Sequence, residues 1–161
     1  MNDRPVANRR ADVERPQALD RATVVHPSEL RAYTLHAGAT NRLATMVAPG
    51  AAGGALSLML EIFEPGGRQD ENRHPRSAEV FYFIEGEGVA HSDGAALLVR
   101  AGDVLVLPAG SSHWIENTGT ARLYALTTLV VDDGSHDRAG RVALPLDERD
   151  VGVLAREVAP T

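Results

Sequence analysis

Two histidines and one glutamate near the middle of the chain, His74, Glu79 and His113, have the side chains to bind a metal ion. His74 falls in a polar loop, and Glu79 and His113 each open a predicted strand, so side chains from separate elements could converge. Two neutral imidazoles and a carboxylate form a set that binds Fe(II), Mn(II), Ni(II) or Zn(II) with positions left open for substrate and water. These residues therefore predict a site for one divalent transition metal.

The charge of such a site indicates the substrates that it would accept. A divalent ion bound by a single carboxylate leaves the site net positive. A site of this kind prefers a small, anionic or enolisable organic molecule that can chelate, such as a carboxylate, a 1,3-dicarbonyl or a catechol-like group. A small-molecule substrate is therefore the expected partner.

Pocket residues are predicted from strand parity. Phe81 and Phe83 should point the same way as the glutamate of the metal set, and Ile115 should lie beside the second histidine in the same fashion. These three side chains would give an apolar lining that excludes water. Glu61, near the end of its strand, faces either the interior or the solvent.

The elements that would position these residues are short alternating runs broken by glycine, proline and aspartate, which begin at about residue 55. Such runs are typical of an all-β sandwich or barrel with little helix. The turn Asp93-Gly94 predicts a hairpin, because this pair supplies the positive φ angles of tight hairpins. Strands are predicted over residues 56–63, 79–85, 88–92, 95–99, 103–107, 113–117 and 121–131, with at most a short helix near 146–154.

Composition limits the chemistry further. The chain has 161 residues, which argues for a single domain, and it contains neither cysteine nor lysine, since all 16 basic residues are arginine. Thiolate nucleophiles, Cys-ligated zinc, Schiff bases and a Walker A loop are therefore excluded. Residues 1–22 are predicted to be a flexible or partner-draped arm, and residues 23–161 a single barrel domain.

The net charge of −6 argues against a nucleic-acid partner, which needs a clustered positive surface. The apolar runs are too short to span a membrane, and residues 1–21 have no apolar signal core. A cytoplasmic protein is therefore expected.

Two spaced motifs carry a family resemblance. Residues 66–86 follow the pattern G-x5-N-x-H-x4-E-x6-G, and residues 102–117 follow G-x5-P-x-G-x2-H-x3-N. These resemble the two motifs of the cupin superfamily, G-x5-H-x-H-x3–4-E-x6-G and G-x5-P-x-G-x2-H-x3-N. The first histidine of the family pattern is the one departure, because Asn72 stands in its place.

The resemblance implies a jelly-roll β-barrel that holds one metal inside it, with His74, Glu79 and His113 as ligands. Asn72 would be a weak fourth ligand through its amide oxygen, or would stand back and leave one more position open. The loss of one imidazole also lowers the affinity for such metals, so a partly filled or empty barrel is an alternative.

Three functions are consistent with these features. The first is a non-haem Fe(II)-type oxygenase, because two histidines and one carboxylate match the facial triad, with natural-product metabolism as a setting. The second is a redox-neutral cyclase, isomerase or dehydratase that uses the metal as a Lewis acid. The third is a non-catalytic cupin that binds a small molecule.

The remaining aromatic and histidine residues are given structural interpretations. Trp114 is expected to pack against the other sheet or against a subunit partner. Cupin barrels commonly dimerise through edge strands, and an arm before the barrel suits that use, so we expect a homodimer. The histidines that match no motif position are not expected to bind metal: His26, His36, His91 and His136.

Overall fold

Strands make up most of the chain, as the alternating sequence predicts. The computed structural model describes residue 19 and residues 21–51, 56–130 and 142–154. Within these ranges a short 3-10 helix (Pro27–Glu29) precedes eleven strands, and one α-helix follows them. The elements are β1 (Arg31–Thr34), β2 (Asn41–Val47), β3 (Leu56–Phe63), β4 (Asn72–Arg73), β5 (Ala78–Glu85), β6 (Glu87–Ser92), β7 (Ala95–Arg100), β8 (Val104–Leu107), β9 (Ser112–Glu116), β10 (Leu123–Val130), β11 (Val142–Pro145) and α1 (Glu148–Leu154).

The described strands form two antiparallel sheets. One sheet has the order β11-β1-β2-β3-β10-β5-β8, and the other has the order β4-β9-β6-β7. The fold is the all-β jelly roll that the sequence predicts. Strand β10 lies between β3 and β5, so residues of β3 and β5 face the same interior although they are distant in sequence.

The main core lies between the two sheets. Alternate residues of each strand point inward, because successive side chains of a strand leave opposite faces. Large side chains from both sheets fill this space and are almost fully buried. The cluster comprises Phe63, Phe81, Phe83, Ala90, Val99, Leu105, Leu107, Ile115, Leu123 and Ala125.

The opposite face of the seven-stranded sheet is covered by α1 through a buried polar network. Asp150 of α1 is fully buried and accepts hydrogen bonds from Arg42 of β2, from Arg122 and from the hydroxyl of Tyr124. These contacts measure 2.8, 2.8 and 2.9 Å. They attach the helix to the sheet on the side away from the interior. Among the described residues, no helix has the length and apolar character needed to span a bilayer.

Several predicted elements are confirmed at their expected positions. Asp93 and Gly94 join β6 to β7 with φ angles of 48° and 86°, as the hairpin prediction requires. Strand β10 ends at Val130, and residue 131 lies outside the described residues. The predicted arm falls almost entirely outside them as well, so its conformation stays a prediction.

Four strands were not predicted: β1, β2, β4 and β11. Strands β1, β4 and β11 have only two to four residues each, too few for a period of two to be recognised. Strand β2 is longer, but polar residues such as Asn41 and Thr45 interrupt its apolar run. Pairing with neighbouring strands, which local sequence does not encode, decides their conformation.

Candidate metal centre

Three separate elements bring the predicted metal ligands together. Glu79 lies near the start of β5 in the seven-stranded sheet, and His113 lies in β9 of the four-stranded sheet. His74 follows β4 directly, in the loop that leads to β5. One ligand atom from each residue lies within 4.8 Å of the others, and all three side chains are 98% buried. The group has the composition and size to hold a metal ion.

The contacts within this group test whether a cation fits there. Oε2 of Glu79 lies 2.7 Å from Nε2 of His113 and 3.3 Å from Nε2 of His74. The Nδ1–H of His113 donates to the backbone carbonyl of Ser111 at 3.1 Å, so in the neutral ring Nε2 carries a lone pair. Two acceptors cannot approach this closely unless a proton or a metal ion lies between them. The donor set therefore fits a divalent metal.

Electrostatics favour an ionised carboxylate at this position. Burial alone would raise the pKa of Glu79, but the interactions of its carboxylate with the imidazoles of His113 and His74 outweigh burial and lower the pKa. Burial lowers the pKa of His113, but Glu79 outweighs it, so that this pKa is raised. Glu79 is thus a carboxylate at neutral pH, the form that binds metal.

Asn72 lies at the edge of the same group. Its register partner across the β4–β9 pair is His113, and its Nδ2 donates to Nε2 of His74 at 2.9 Å. Its Oδ1 accepts the backbone N–H of Arg73, which is exposed. The amide that replaces the family's histidine is therefore in contact with a candidate ligand.

A small cavity opens beside these residues. Its volume is about 40 Å³, room for a few water molecules, so only a compact ligand fits. The loop between β1 and β2 and the loop before β4 form its mouth, and His36 and Asp70 connect these loops through a 2.6 Å ion pair. The cavity is lined by Leu35, Asn41, Leu43, Glu61, Gln69, Asp70, Glu71, Asn72, His74 and Glu79.

Glu61 faces the interior, which decides between the two orientations left open by the sequence. It is 1% exposed and lines the cavity together with Glu79. Gln69 donates a 2.8 Å hydrogen bond to its Oε2, and Thr127 contacts its Oε1 at 3.2 Å. Burial and the nearby Glu79 raise the pKa of Glu61 to about 8.

The other three pocket candidates lie deeper than expected. Phe81, Phe83 and Ile115 point inward, as strand parity predicts, but they belong to the packed core and do not line the cavity. Large side chains pack together in the interior, and the cavity lies beside the metal group. Phe81 nevertheless contacts the site, because its ring meets that of His113 edge-on at 6.4 Å.

The comparison with known families now supplies an assignment. Residues 59–130 match the family model described as a cupin domain, and both motifs lie within this range. The chain contains a cupin domain.

Curated relatives of this cupin domain include an oxalate-binding protein and a polyketide synthase. It is 37% identical to the oxalate-binding protein of Thermotoga maritima over 67 residues, which cover 42% of this chain and 55% of the relative. It is 33% identical to polyketide synthase CurC of Streptomyces cyaneus over 99 residues, 62% of this chain and 63% of the relative. The cupin chain thus spans about 55–63% of the length of these relatives.

Solved structures also contain this fold. A crystal structure of a predicted oxalate decarboxylase from Thermotoga maritima is 28% identical, with a TM-score of 0.63. It matches 68% of the cupin chain and the whole of the other chain. A cupin 2 conserved barrel domain protein from Salinispora arenicola matches 75% of this chain and 91% of its own, at 23% identity and a TM-score of 0.51. These likenesses support the jelly-roll assignment.

The remaining histidines of the cupin lie away from the metal group. His36 pairs with Asp70 at the mouth, and His91 stacks on Trp114 with ring centroids 4.4 Å apart. Trp114 of β9 therefore packs against the neighbouring strand β6 of its own sheet. The alternative that it packs against the other sheet is wrong. His26 lies beside the 3-10 helix, and His136 lies outside the described residues.

Three polar residues near Glu61 were missed by sequence reasoning: Asn41, Gln69 and Thr127. They come from β2, from the loop before β4 and from β10, and they meet only in the folded sheet. The one signal present in the sequence is parity, because Thr127 lies on the same face of β10 as the buried residues Ala125 and Leu129. Parity shows that Thr127 points inward, but it does not show what it contacts.

Proposed function

We propose that this cupin is a metal-dependent enzyme that acts on a small, anionic, chelating organic substrate. The observation that carries the proposal is the buried carboxylate of Glu79, whose Oε2 faces the ring nitrogens of His113 and His74 at 2.7 and 3.3 Å. A buried group of converging acceptors beside a cavity is the arrangement of an open metal site.

The roles of the residues follow from their chemistry. His74, Glu79 and His113 would hold one Fe, Mn, Ni or Zn ion, with Asn72 as a weak or absent fourth ligand. When bound, such an ion polarises a carbonyl or carboxylate oxygen, and iron also reacts with dioxygen. The ring of Phe81 and the side chains of the main core exclude water from the inner side of the site.

The substrate class is supported by charge and size. One carboxylate against a divalent ion leaves the centre positive, and the cavity admits only a compact ligand. One relative is named for oxalate binding, and oxalate is a small chelating dianion of the kind proposed here. Oxalate is therefore a suitable probe of the site.

Two reaction types remain in competition. An Fe(II)-type oxygenase is favoured by the set of two histidines and one carboxylate. A redox-neutral cyclase, isomerase or dehydratase is favoured by the likeness to polyketide synthase CurC, which also supports a place in natural-product metabolism. A third proposal, a cupin that binds a small molecule without a reaction, is favoured by the replacement of a motif histidine by Asn72.

Metal analysis after reconstitution tests the proposal. The purified protein, loaded in turn with Fe(II), Mn(II), Ni(II) and Zn(II) and then desalted, should retain about one equivalent of at least one ion. His113→Ala should abolish retention, whereas His91→Ala, a matched control outside the site, should not. Retention below about a tenth of an equivalent for every ion contradicts a metal enzyme. Oxygen uptake by the Fe(II) form with candidate substrates then separates oxygenase from redox-neutral chemistry.

We also propose that the protein is a cytoplasmic homodimer. Strand β8 is an edge strand of the larger sheet, and Val104 and Val106 on it are 60% and 61% exposed, beside Tyr82 at 47%. In the dimer, β8 of one copy would pair with β8 of the second copy, because a two-fold axis brings the same surface of both copies together. Light scattering checks this proposal, and a monomeric mass contradicts it.

A further inference from the structure

The residues that hold the carboxyl group of Glu61 in the described part of the chain are all neutral. Asn41, Gln69 and Thr127 contact it at 3.5, 2.8 and 3.2 Å. Within the described residues no arginine or histidine forms an ion pair with it. A carboxylate that is 1% exposed and lacks a cationic partner is strongly disfavoured, because its desolvation is not compensated.

The hydrogen bonds also locate the proton. Oε1 of Gln69 accepts the backbone N–H of Ile115 at 3.0 Å, which fixes the amide so that Nε2 donates to Oε2 of Glu61. The amide of Asn41 approaches the same oxygen. Oε2 therefore acts as the carbonyl-type acceptor. In the neutral acid the proton resides on Oε1, which also accepts the hydrogen bond that the hydroxyl of Thr127 donates at 3.2 Å.

The surrounding charges act in the same direction. The titratable groups that share the cavity with Glu61 are the ligands Glu79 and His74 and the mouth residues Asp70 and Glu71, with His113 behind them. Glu79 is the nearest negative charge and raises the pKa of Glu61 in addition to burial.

We propose that Glu61 is a neutral carboxylic acid that binds the substrate by donating a hydrogen bond from Oε1 to an anionic oxygen. This inference rests on the proposed function, because the ligand is taken to chelate a metal at His74, Glu79 and His113. The geometry then gives the site two separate points of recognition in one cavity, a cation and a neutral donor.

Two points of recognition narrow the substrate class. A ligand that satisfies both carries at least two anionic or strongly polar oxygens on a short carbon skeleton, as dicarboxylates and 2-oxo or 2-hydroxy acids do. A simple monocarboxylate can chelate the ion but leaves Glu61 without an acceptor. The site therefore discriminates oxalate-like dianions from acetate-like monoanions.

The experiment compares wild type, Glu61→Gln and Glu61→Leu, each loaded with Co(II) and titrated with oxalate or acetate. Binding is followed by the visible spectrum of cobalt. A hydrogen bond to a charged oxygen contributes about 1.5–3 kcal/mol, so Glu61→Leu should weaken oxalate binding by roughly tenfold or more. Acetate binding should change little. Glu61→Gln keeps an N–H donor and the acceptor for Gln69, so it should bind oxalate nearly as wild type does at neutral pH.

The pH dependence distinguishes a neutral donor from a carboxylate. The oxalate affinity of the wild type should fall as the pH rises through the pKa of Glu61, because Glu61 then loses the proton that it donates. The oxalate affinity of Glu61→Gln should not show this fall. Equal oxalate affinity of Glu61→Leu and wild type overturns the inference, and so does the same pH profile in wild type and Glu61→Gln. Cobalt affinity, measured separately, tests the metal site itself. Loss of cobalt from wild type refutes the proposed function, whereas normal cobalt binding with an unaffected oxalate affinity refutes only the role of Glu61.

Discussion

Glu61 and Glu79 line the same cavity, yet their surroundings shift the two pKa values in opposite directions. The described partners of Glu61 are all neutral, and burial together with Glu79 raises its pKa to about 8. Glu79 is equally buried, but the imidazoles of His113 and His74 outweigh burial and lower its pKa. One acid and one carboxylate thus stand side by side at neutral pH, and the same Glu→Gln substitution should have different effects at the two positions.

The stability of the protein should report the protonation state of Glu61. Its pKa is raised on folding from 4.5 to about 8, so the folded state binds the extra proton and stability falls as the pH rises between these values. The difference between wild type and Glu61→Gln should therefore change by up to about 1.4 kcal/mol per pH unit. Denaturant unfolding of both proteins at several pH values measures it, and parallel curves would show that Glu61 is ionised in the native state.

Restoring the motif histidine should strengthen metal binding. Asn72 contacts His74 and lies opposite His113, so an imidazole at this position would add a fourth donor. We expect Asn72→His to raise Co(II) affinity by roughly tenfold or more in a competition titration. Asn72→Ala is the control, and a small loss there would indicate weak coordination by the native amide. Unchanged affinity in Asn72→His would place residue 72 outside coordination distance.

The buried network of α1 should contribute strongly to stability. Asp150→Ala would leave Arg42 and Arg122 without their buried partner and the hydroxyl of Tyr124 unsatisfied. Breaking a buried ion pair from one side costs about 3–5 kcal/mol, part of which Glu64 can offset, since it also contacts both arginines.

The matched control for this network is Asp147→Ala, because Asp147 pairs with the same Arg122 but has a half-exposed side chain. Its removal should cost about 1–2 kcal/mol, because Oδ1 of Asp147 also accepts the backbone N–H of Asp150 at 2.9 Å at the start of α1. Denaturant unfolding of the two variants provides the comparison. Equal losses would mean that the burial of Asp150 adds nothing to the network.

Two glycines with similar backbone angles should respond differently to alanine. Gly86 and Gly102 have φ angles of 91° and 93°. A Cβ at Gly86 would lie 2.6 Å from the carbonyl oxygen of Arg122, whereas a Cβ at Gly102 meets nothing within 4 Å. Gly102→Ala should therefore cost about 1 kcal/mol for the backbone conformation alone. Gly86→Ala should cost about 3 kcal/mol or more, because the backbone at Arg122 must move away from the new Cβ. Thermal unfolding measures the loss of stability in both variants. Similar losses would show that the backbone at the start of β10 shifts at little cost in free energy.

Sequence reasoning was most successful where function or turn geometry constrains single residues. The positions of His74, Glu79 and His113 on a loop and two strands follow from their spacing, and Asp93-Gly94 specifies its hairpin. Parity also placed Phe81 inside, but a period of two gives the face of a strand and not the depth along the barrel. For this reason the depth of Phe81, Phe83 and Ile115 was not predicted.

The surroundings of Glu61 show a different limit. Its partners are contributed by three other segments, so neither the raised pKa nor the hydrogen bonds can be derived from local sequence. Strand β10 places Thr127 between the strands of Glu61 and Glu79, and that neighbourhood depends on the strand order. Local alternation does not determine strand order, because any inward-facing strand could occupy the position.

Glu79 and His113 belong to different sheets. An ion held by both side chains is a cross-link between the two halves of the sandwich, and global unfolding must break it. Each tenfold rise in free ion above the dissociation constant would then add about 1.4 kcal/mol to the free energy of unfolding. Both residues would therefore stabilise the fold through the bound ion, whether or not the site performs a reaction.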